Sequence, residues 1–130
     1  MNTTQRNILF AFLSFSVMHY SCGNSVRRIH RDAVLVDTHN DFISKSVENG
    51  FVFDQDNKGK THSDLARMKK GGVDIQIFSI FGDESIGYQH ANREIDTLYA
   101  LIARNPGKMM LVKNPKDLIQ AVKEKKLGAM

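Results

Sequence analysis

The sequence has one cysteine, Cys22, and no tryptophan among its 130 residues. A single thiol excludes an intrachain disulfide and any metal site built from several thiolates. No run approaches the roughly 20 apolar residues that a membrane-spanning helix needs. The longest apolar stretch, Ile8 to Met18, falls well short of that length. Concentrated positive charge is also absent. The net charge is +4 and the pI about 9.3, but Lys and Arg are scattered over several predicted helix faces and ends. No aromatic residues interleave with basic ones on a strand, and no Cys/His spacing matches a zinc finger, so nucleic acid is not an expected partner. No pattern specifies an oligomer.

What remains is an ordinary globular composition, 42% hydrophobic and 25% charged, which is enough for a small core. Arg6, the apolar run and then Ser21-Cys22-Gly23 form an export signal over residues 1–22. Cys22 lies where a bacterial lipoprotein signal carries the cysteine that is lipidated, which would put the protein on a membrane surface through several acyl chains. His19 stands where such signals usually carry Leu, so ordinary cleavage to a soluble exported protein is a second route. Residues 23–32 are polar and basic and read as a tether, with order expected to begin near Ala33.

Ala33-Val34-Leu35-Val36 is apolar and β-branched, the pattern of a strand buried on both faces, and it leads into Asp37-Thr38-His39-Asn40-Asp41. Residues 42–62 read as a long polar loop, a length uncommon in a compact domain unless the loop is functional. Ser63 is the expected cap of a short helix through Lys70, stopped by Gly71-Gly72. Val73 to Phe81 is the second strand, 82–87 a loop, and 88–104 a helix with Ala91, Ile95, Leu98 and Ile102 at helical spacing. Met109 to Val112 reads as a short extended piece. Asn114-Pro115 opens a last helix with Leu118, Ile119 and Val122 inward and Gly128 as its stop, and Ala129-Met130 open another strand. Alternation of this kind builds parallel sheets, either open or closed into an eightfold barrel. A closed barrel takes about 250 residues, so on the barrel reading residues 33–130 form an N-terminal portion, incomplete in this chain.

Residues two apart on a strand share a face, so Asp37, His39 and Asp41 are expected together, the last two at the C-terminal end where parallel sheets keep their sites. Imidazole nitrogen and carboxylate oxygen are both zinc ligands. By itself a His-x-Asp pair is a weak signal, shared with strand-end turns closed by Asn40 and Asp41. His30, His62 and His90 read as surface residues. Gln76 has two readings, lining a barrel interior or satisfying nearby backbone groups, and Asp37 could orient a metal-bound imidazole.

From Val34 to Met130 the chain resembles the membrane (renal) dipeptidases, peptidase family M19. Val36-Asp37-Thr38-His39-Asn40-Asp41 is similar to the family's first strand, with Thr38 where Gly is common. The run from Ser63 to Val73, then Gln76-Ile77-Phe78-Ser79, resembles its second signature. Ile95-Asp96, the Asn105-Pro106 helix end and Gly128-Ala129 fit in order. The resemblance implies a (β/α)8 hydrolase with two zinc ions bridged by a carboxylate and a hydroxide, acting on dipeptides and tolerating a D-residue on the C-terminal side. It makes His39 and Asp41 ligands of the first zinc and provides no catalytic residue here. In the family, the bridging Glu, the two His ligands of the second ion and the catalytic Asp come from later strands. The expected product is an N-terminal fragment, inactive alone. A rival from another class is a small exported α/β binding module without catalysis, and another is a merely structural fragment.

Overall fold

The computed structural model describes residues 25–81 and 87–130. The proposed signal and Cys22 lie outside the described residues, as does most of the loop expected at 82–87. The chain divides into two compact units, residues 1–33 and 34–130. In the first, residues 25–32 form helix α1, exposed along its length, and the Ala33 amide donates to the Ile29 carbonyl at 2.9 Å to close its last turn. From residue 25 the stretch read as a tether is therefore helical, in keeping with the helix-forming arginines at 27, 28 and 31. Among the described residues no helix is long and apolar enough to cross a membrane.

The second unit carries a four-stranded, all-parallel sheet in the order β1-β2-β4-β3, with β1 Leu35–Asn40, β2 Val73–Phe78, β3 Met109–Leu111 and β4 Leu127–Ala129. Helices α2 (Phe42–Asn49), α3 (Leu65–Gly71), α4 (Gly87–Arg104) and α5 (Pro115–Lys123) connect them. The α/β alternation expected from the sequence is present, and its boundaries differ instructively.

The 42–62 loop expectation is corrected at its start, because α2 occupies its first eight residues. Phe42 and Ile43 bury there, and Gly50, at φ 72°, supplies the left-handed stop by donating to the Ser46 carbonyl at 3.0 Å. The polar composition of this segment hid a short helix with one apolar edge. The cap of α3 is Asp64, not Ser63: its carboxylate accepts from the Arg67 amide at 2.8 Å and is 1% exposed. Asn114 caps α5 as expected, accepting from the Lys116 and Asp117 amides with Pro115 following. That helix ends at Lys123, so Gly128 is not its stop; Gly128 lies buried inside β4. Ile119 is exposed, and Ala121 takes the inward position. On α4 the buried residues are His90, Glu94, Leu98 and Leu101: Leu98 buries as expected, Ala91 and Ile102 are only partly buried, and Ile95 is exposed.

β1 was expected to be buried on both faces. It is instead a sheet edge, with Val34, Leu35 and Val36 between 37% and 52% exposed. The core lies between β2, β4 and the helices. Phe53, from the segment after α2, packs edge-on against Phe42 at 4.8 Å and Phe78 at 5.4 Å between ring centroids. Burying a phenylalanine stabilises by about 2 to 3 kcal/mol, so this contact fastens the irregular 50–64 segment to the strand end beneath it.

Candidate metal centre

The C-terminal end of β1 carries the sequence-predicted pair. Register against β2 runs Asp37 to Gln76 and then Asn40 to Phe78, three residues on one strand against two on the other. The extra residue is a β-bulge at Thr38–His39, a device that bends a strand and re-aims a side chain beside a site. Strict alternation from Asp37 to Asp41 therefore does not hold, and Asp41 sits just past the strand as the residue preceding α2. The two side chains nonetheless meet: His39 Nε2 lies 3.2 Å from Asp41 Oδ1, with both side chains well exposed.

Three polar side chains fix the backbone under this pair. Asp37 accepts from the His39 amide at 3.2 Å, so it acts on His39 through the main chain and not through the ring. Asn40 accepts from the Phe42 amide at 2.9 Å and donates to Ser63 Oγ at 3.2 Å and Gln76 Oε1 at 3.4 Å. Gln76, fully buried, donates to the carbonyls of Asp37 at 3.3 Å and Ile77 at 3.0 Å. Of the two readings of Gln76, the structure shows the one in which it satisfies backbone groups. The turn closed by Asn40 was read from sequence; its donations to Ser63 and Gln76 were missed, since neither residue type announces a partner at long range.

A cavity of about 600 Å³ opens beside the pair, bounded by β1, the start of α2 and the 60–63 segment. A second, of about 400 Å³, is shared by His39, Asp41, Ser79 and Phe81. His62 is exposed and lines the larger cavity, while His30 is exposed on α1. His90 departs from the surface expectation: it is 8% exposed, and its Nε2 lies 3.3 Å from Oε1 of the fully buried Glu94. Glu94 Oε2 accepts from the Phe81 amide at 2.7 Å, tying α4 to the rim of the smaller cavity.

Ligands at about 2.0 to 2.1 Å in a tetrahedral zinc shell stand about 3.3 Å apart. The His39–Asp41 spacing of 3.2 Å matches one edge of such a shell, and the imidazole and carboxylate donors suit that ion. Among the described residues no third His, Cys, Asp or Glu joins them. The chain thus presents a fitting pair of donors, not a complete shell.

The profile of the membrane dipeptidase family, peptidase family M19, matches residues 24–130, and the chain belongs to that family. No curated protein sequence matches it. Among solved structures, a metallopeptidase from Rhodobacter sphaeroides, liganded with a phosphinate mimic of the dipeptide L-Ala-D-Ala, superposes with a TM-score of 0.65 at 16% identity over 75% of this chain and 36% of that one. Dipeptidase AC, a metallopeptidase of family M19, gives 0.66 at 18% identity over 75% of this chain and 33% of its own. The chain spans about a third of the length of these structures. Its parallel α/β fold is part of the TIM-barrel fold of these structures; in the order β1-β2-β4-β3, strand β3 stands outside the sequential neighbours of such a barrel.

Proposed function

We propose that this chain supplies the first-metal half-site of an exported zinc dipeptidase. The observation that carries the proposal is the 3.2 Å approach of His39 Nε2 and Asp41 Oδ1 at the C-terminal end of the first strand, where barrels of this class keep their chemistry. When bound, zinc lowers the pKa of coordinated water toward neutrality and polarises the scissile carbonyl. His39 and Asp41 would hold the ion, Asp37 holds the His39 backbone, and Asn40 with Gln76 holds the strand end against β2. The resemblance to family M19 brings the second zinc, the bridging Glu and the catalytic Asp from later strands, so these 130 residues alone bind zinc weakly and hydrolyse nothing. The dipeptide mimic bound to the Rhodobacter sphaeroides metallopeptidase supports a dipeptide substrate, and family precedent supports tolerance of a C-terminal D-residue. Export through residues 1–22, with a lipid on Cys22, would place the enzyme at a membrane surface, consistent with its membership of the membrane dipeptidase family.

The test is His39→Ala in a chain extended to full barrel length, with zinc content and dipeptide hydrolysis measured together. Loss of about one zinc per barrel and of turnover is the expected result. Unchanged metal content would overturn the assignment and leave a binding module. Measurable hydrolysis by the unextended 130-residue chain would overturn the half-site reading.

A further inference from the structure

Helix α1, residues 25–32, belongs to the first of the two compact units and is exposed at every position. Its sequence, Ser25-Val26-Arg27-Arg28-Ile29-His30-Arg31-Asp32, sorts two kinds of side chain around the helix. At about 3.6 residues per turn, Val26 and Ile29, three apart, share one face. Arg27 and Arg31, four apart, share the opposite one, and Arg28 stands beside Arg31. Val26 is 62% exposed and Ile29 66%, so both aliphatic side chains are left largely to solvent. A lone exposed aliphatic residue needs no explanation. Two on one face, backed by cations on the other, match helices that lie in the headgroup layer of a bilayer, where the apolar edge meets acyl chains and the long cations reach back to phosphate.

The balance of charge selects the partner. Three arginines stand against one acid in these eight residues. Arg31 Nε lies 3.2 Å from Asp32 Oδ1 with both side chains well exposed, a contact that water and salt weaken to little. Among the described residues Arg27 and Arg28 enter no ion pair. A phosphate polymer would meet these arginines but leave Val26 and Ile29 in water. An anionic bilayer takes both faces.

Chain length adds a second argument. Cys22, the proposed lipid site, precedes Ser25 by three residues, which reach at most about 11 Å when fully extended. The headgroup layer is itself about 5 to 8 Å thick. With acyl chains on Cys22, α1 therefore starts in or just above that layer, where a basic helix adds a second attachment to the lipid.

We propose that α1 is an interfacial helix that docks on an anionic phospholipid surface, with Val26 and Ile29 toward the acyl chains and Arg27, Arg28 and Arg31 on lipid phosphates. This goes beyond the dipeptidase reading and needs neither zinc nor a complete barrel.

The test uses the 130-residue chain, made without lipid on Cys22 and carrying Ile29→Trp. Because the sequence has no tryptophan, indole emission reports that one position. Partition onto phosphatidylcholine vesicles is compared with partition onto vesicles holding about one-third phosphatidylglycerol. Arg6 and the apolar run at 8–18 are common to all variants, so each effect is read as the ratio of the two partition coefficients. That ratio should exceed one for the parent and fall by about 25-fold in Arg27→Gln/Arg28→Gln, two unpaired cations at about fivefold each. Glutamine is as good a helix former as arginine, and both positions are exposed, so the helix is kept. Arg27→Lys/Arg28→Lys should retain most of the ratio. Val26→Ser should lower partition onto both surfaces by about threefold, and the emission of the parent should move to the blue on anionic vesicles. Equal partition onto the two surfaces, a ratio unmoved by the glutamine variant, or emission that stays at its aqueous position on bound protein overturns the proposal. Arginine-dependent binding to duplex DNA with no preference between vesicles also overturns it, in favour of a polyanion. Failure of the dipeptidase reading would leave these measurements unchanged, since neither metal nor turnover enters them.

Discussion

The side-chain amide of Gln76 crosses from β2 to β1 and donates to the Asp37 carbonyl at 3.3 Å, while its oxygen accepts from Asn40 at 3.4 Å. This bridge spans the bulge that sets His39, so one fully buried side chain couples strand pairing to the geometry of the proposed metal pair, His39 and Asp41. Gln76→Leu keeps the volume and removes every one of these bonds, leaving the Asp37 carbonyl and the Asn40 amide without this partner. The expected cost is about 1 to 3 kcal/mol, read as a lower urea midpoint at unchanged slope. If His39 and Asp41 hold zinc as proposed, zinc affinity in the barrel-length chain should fall with it, although Gln76 is hydrogen-bonded to neither side chain.

Gly128 packs β4 against α5. A Cβ there would stand 2.6 Å from Ile75 Cδ1, 2.8 Å from Val112 Cγ2 and 3.2 Å from the Ala121 Cβ. The Ile75 terminus can swing aside, but Val112 is branched at Cβ and Ala121 is fixed to its helix, so the methyl group has no clear volume. Gly128→Ala should destabilise by about 1 to 3 kcal/mol through overpacking. Ala121→Gly in the same chain should recover part of the loss, and additive losses in a thermal melt would contradict this account.

Where sequence was informative, a strong local signal agreed with the tertiary structure. The Asn114-Pro115 cap, the Gly72 stop at φ 81° and the β-branched run of β2 all encode their geometry in a few residues. His39 and Asp41 were legible as a pair because the family resemblance weighted a motif that spacing alone leaves weak. The bulge beneath them was not, since it is a property of register between two strands whose paired residues lie 38 to 39 apart and no single residue announces it. Gly128 was misread because a glycine just beyond a helix looks the same whether it ends the helix or makes room for another side chain. α2 was missed because its polar residues obscured the two that bury.

Asp54 is held down to a pKa of about 2, first by hydrogen bonds from the Arg104 guanidinium and then, against the opposing effect of burial, by Asn105. A carboxyl with a depressed folded-state pKa stabilises above its unfolded value of 3.8, and that stability is lost as pH falls toward 2. Because Arg104 is partly exposed, screening leaves the contribution at about 1 kcal/mol. Asp54→Asn should therefore lower stability by about that amount at pH 7, and the difference from the parent should shrink between pH 4 and pH 2. A difference that stays constant across this range would mean the loss is steric.

Glu94 is fully buried, yet only one of its oxygens is hydrogen-bonded: Oε2 accepts from the Phe81 amide, while Oε1 faces His90 Nε2 at 3.3 Å without a hydrogen bond. Glu94→Gln removes the buried charge and keeps an oxygen for Phe81. Its amide nitrogen replaces the unsatisfied acceptor. The substitution should be neutral or stabilising by up to about 1 kcal/mol. Glu94→Ala also removes the charge but orphans the Phe81 amide and opens a cavity beside Leu98, and should cost about 2 to 3 kcal/mol. Opposite signs for the two variants in chemical denaturation would show that Glu94 serves as an acceptor for the loop after β2. Equal losses would show instead that its charge, paired with His90, is what the fold requires.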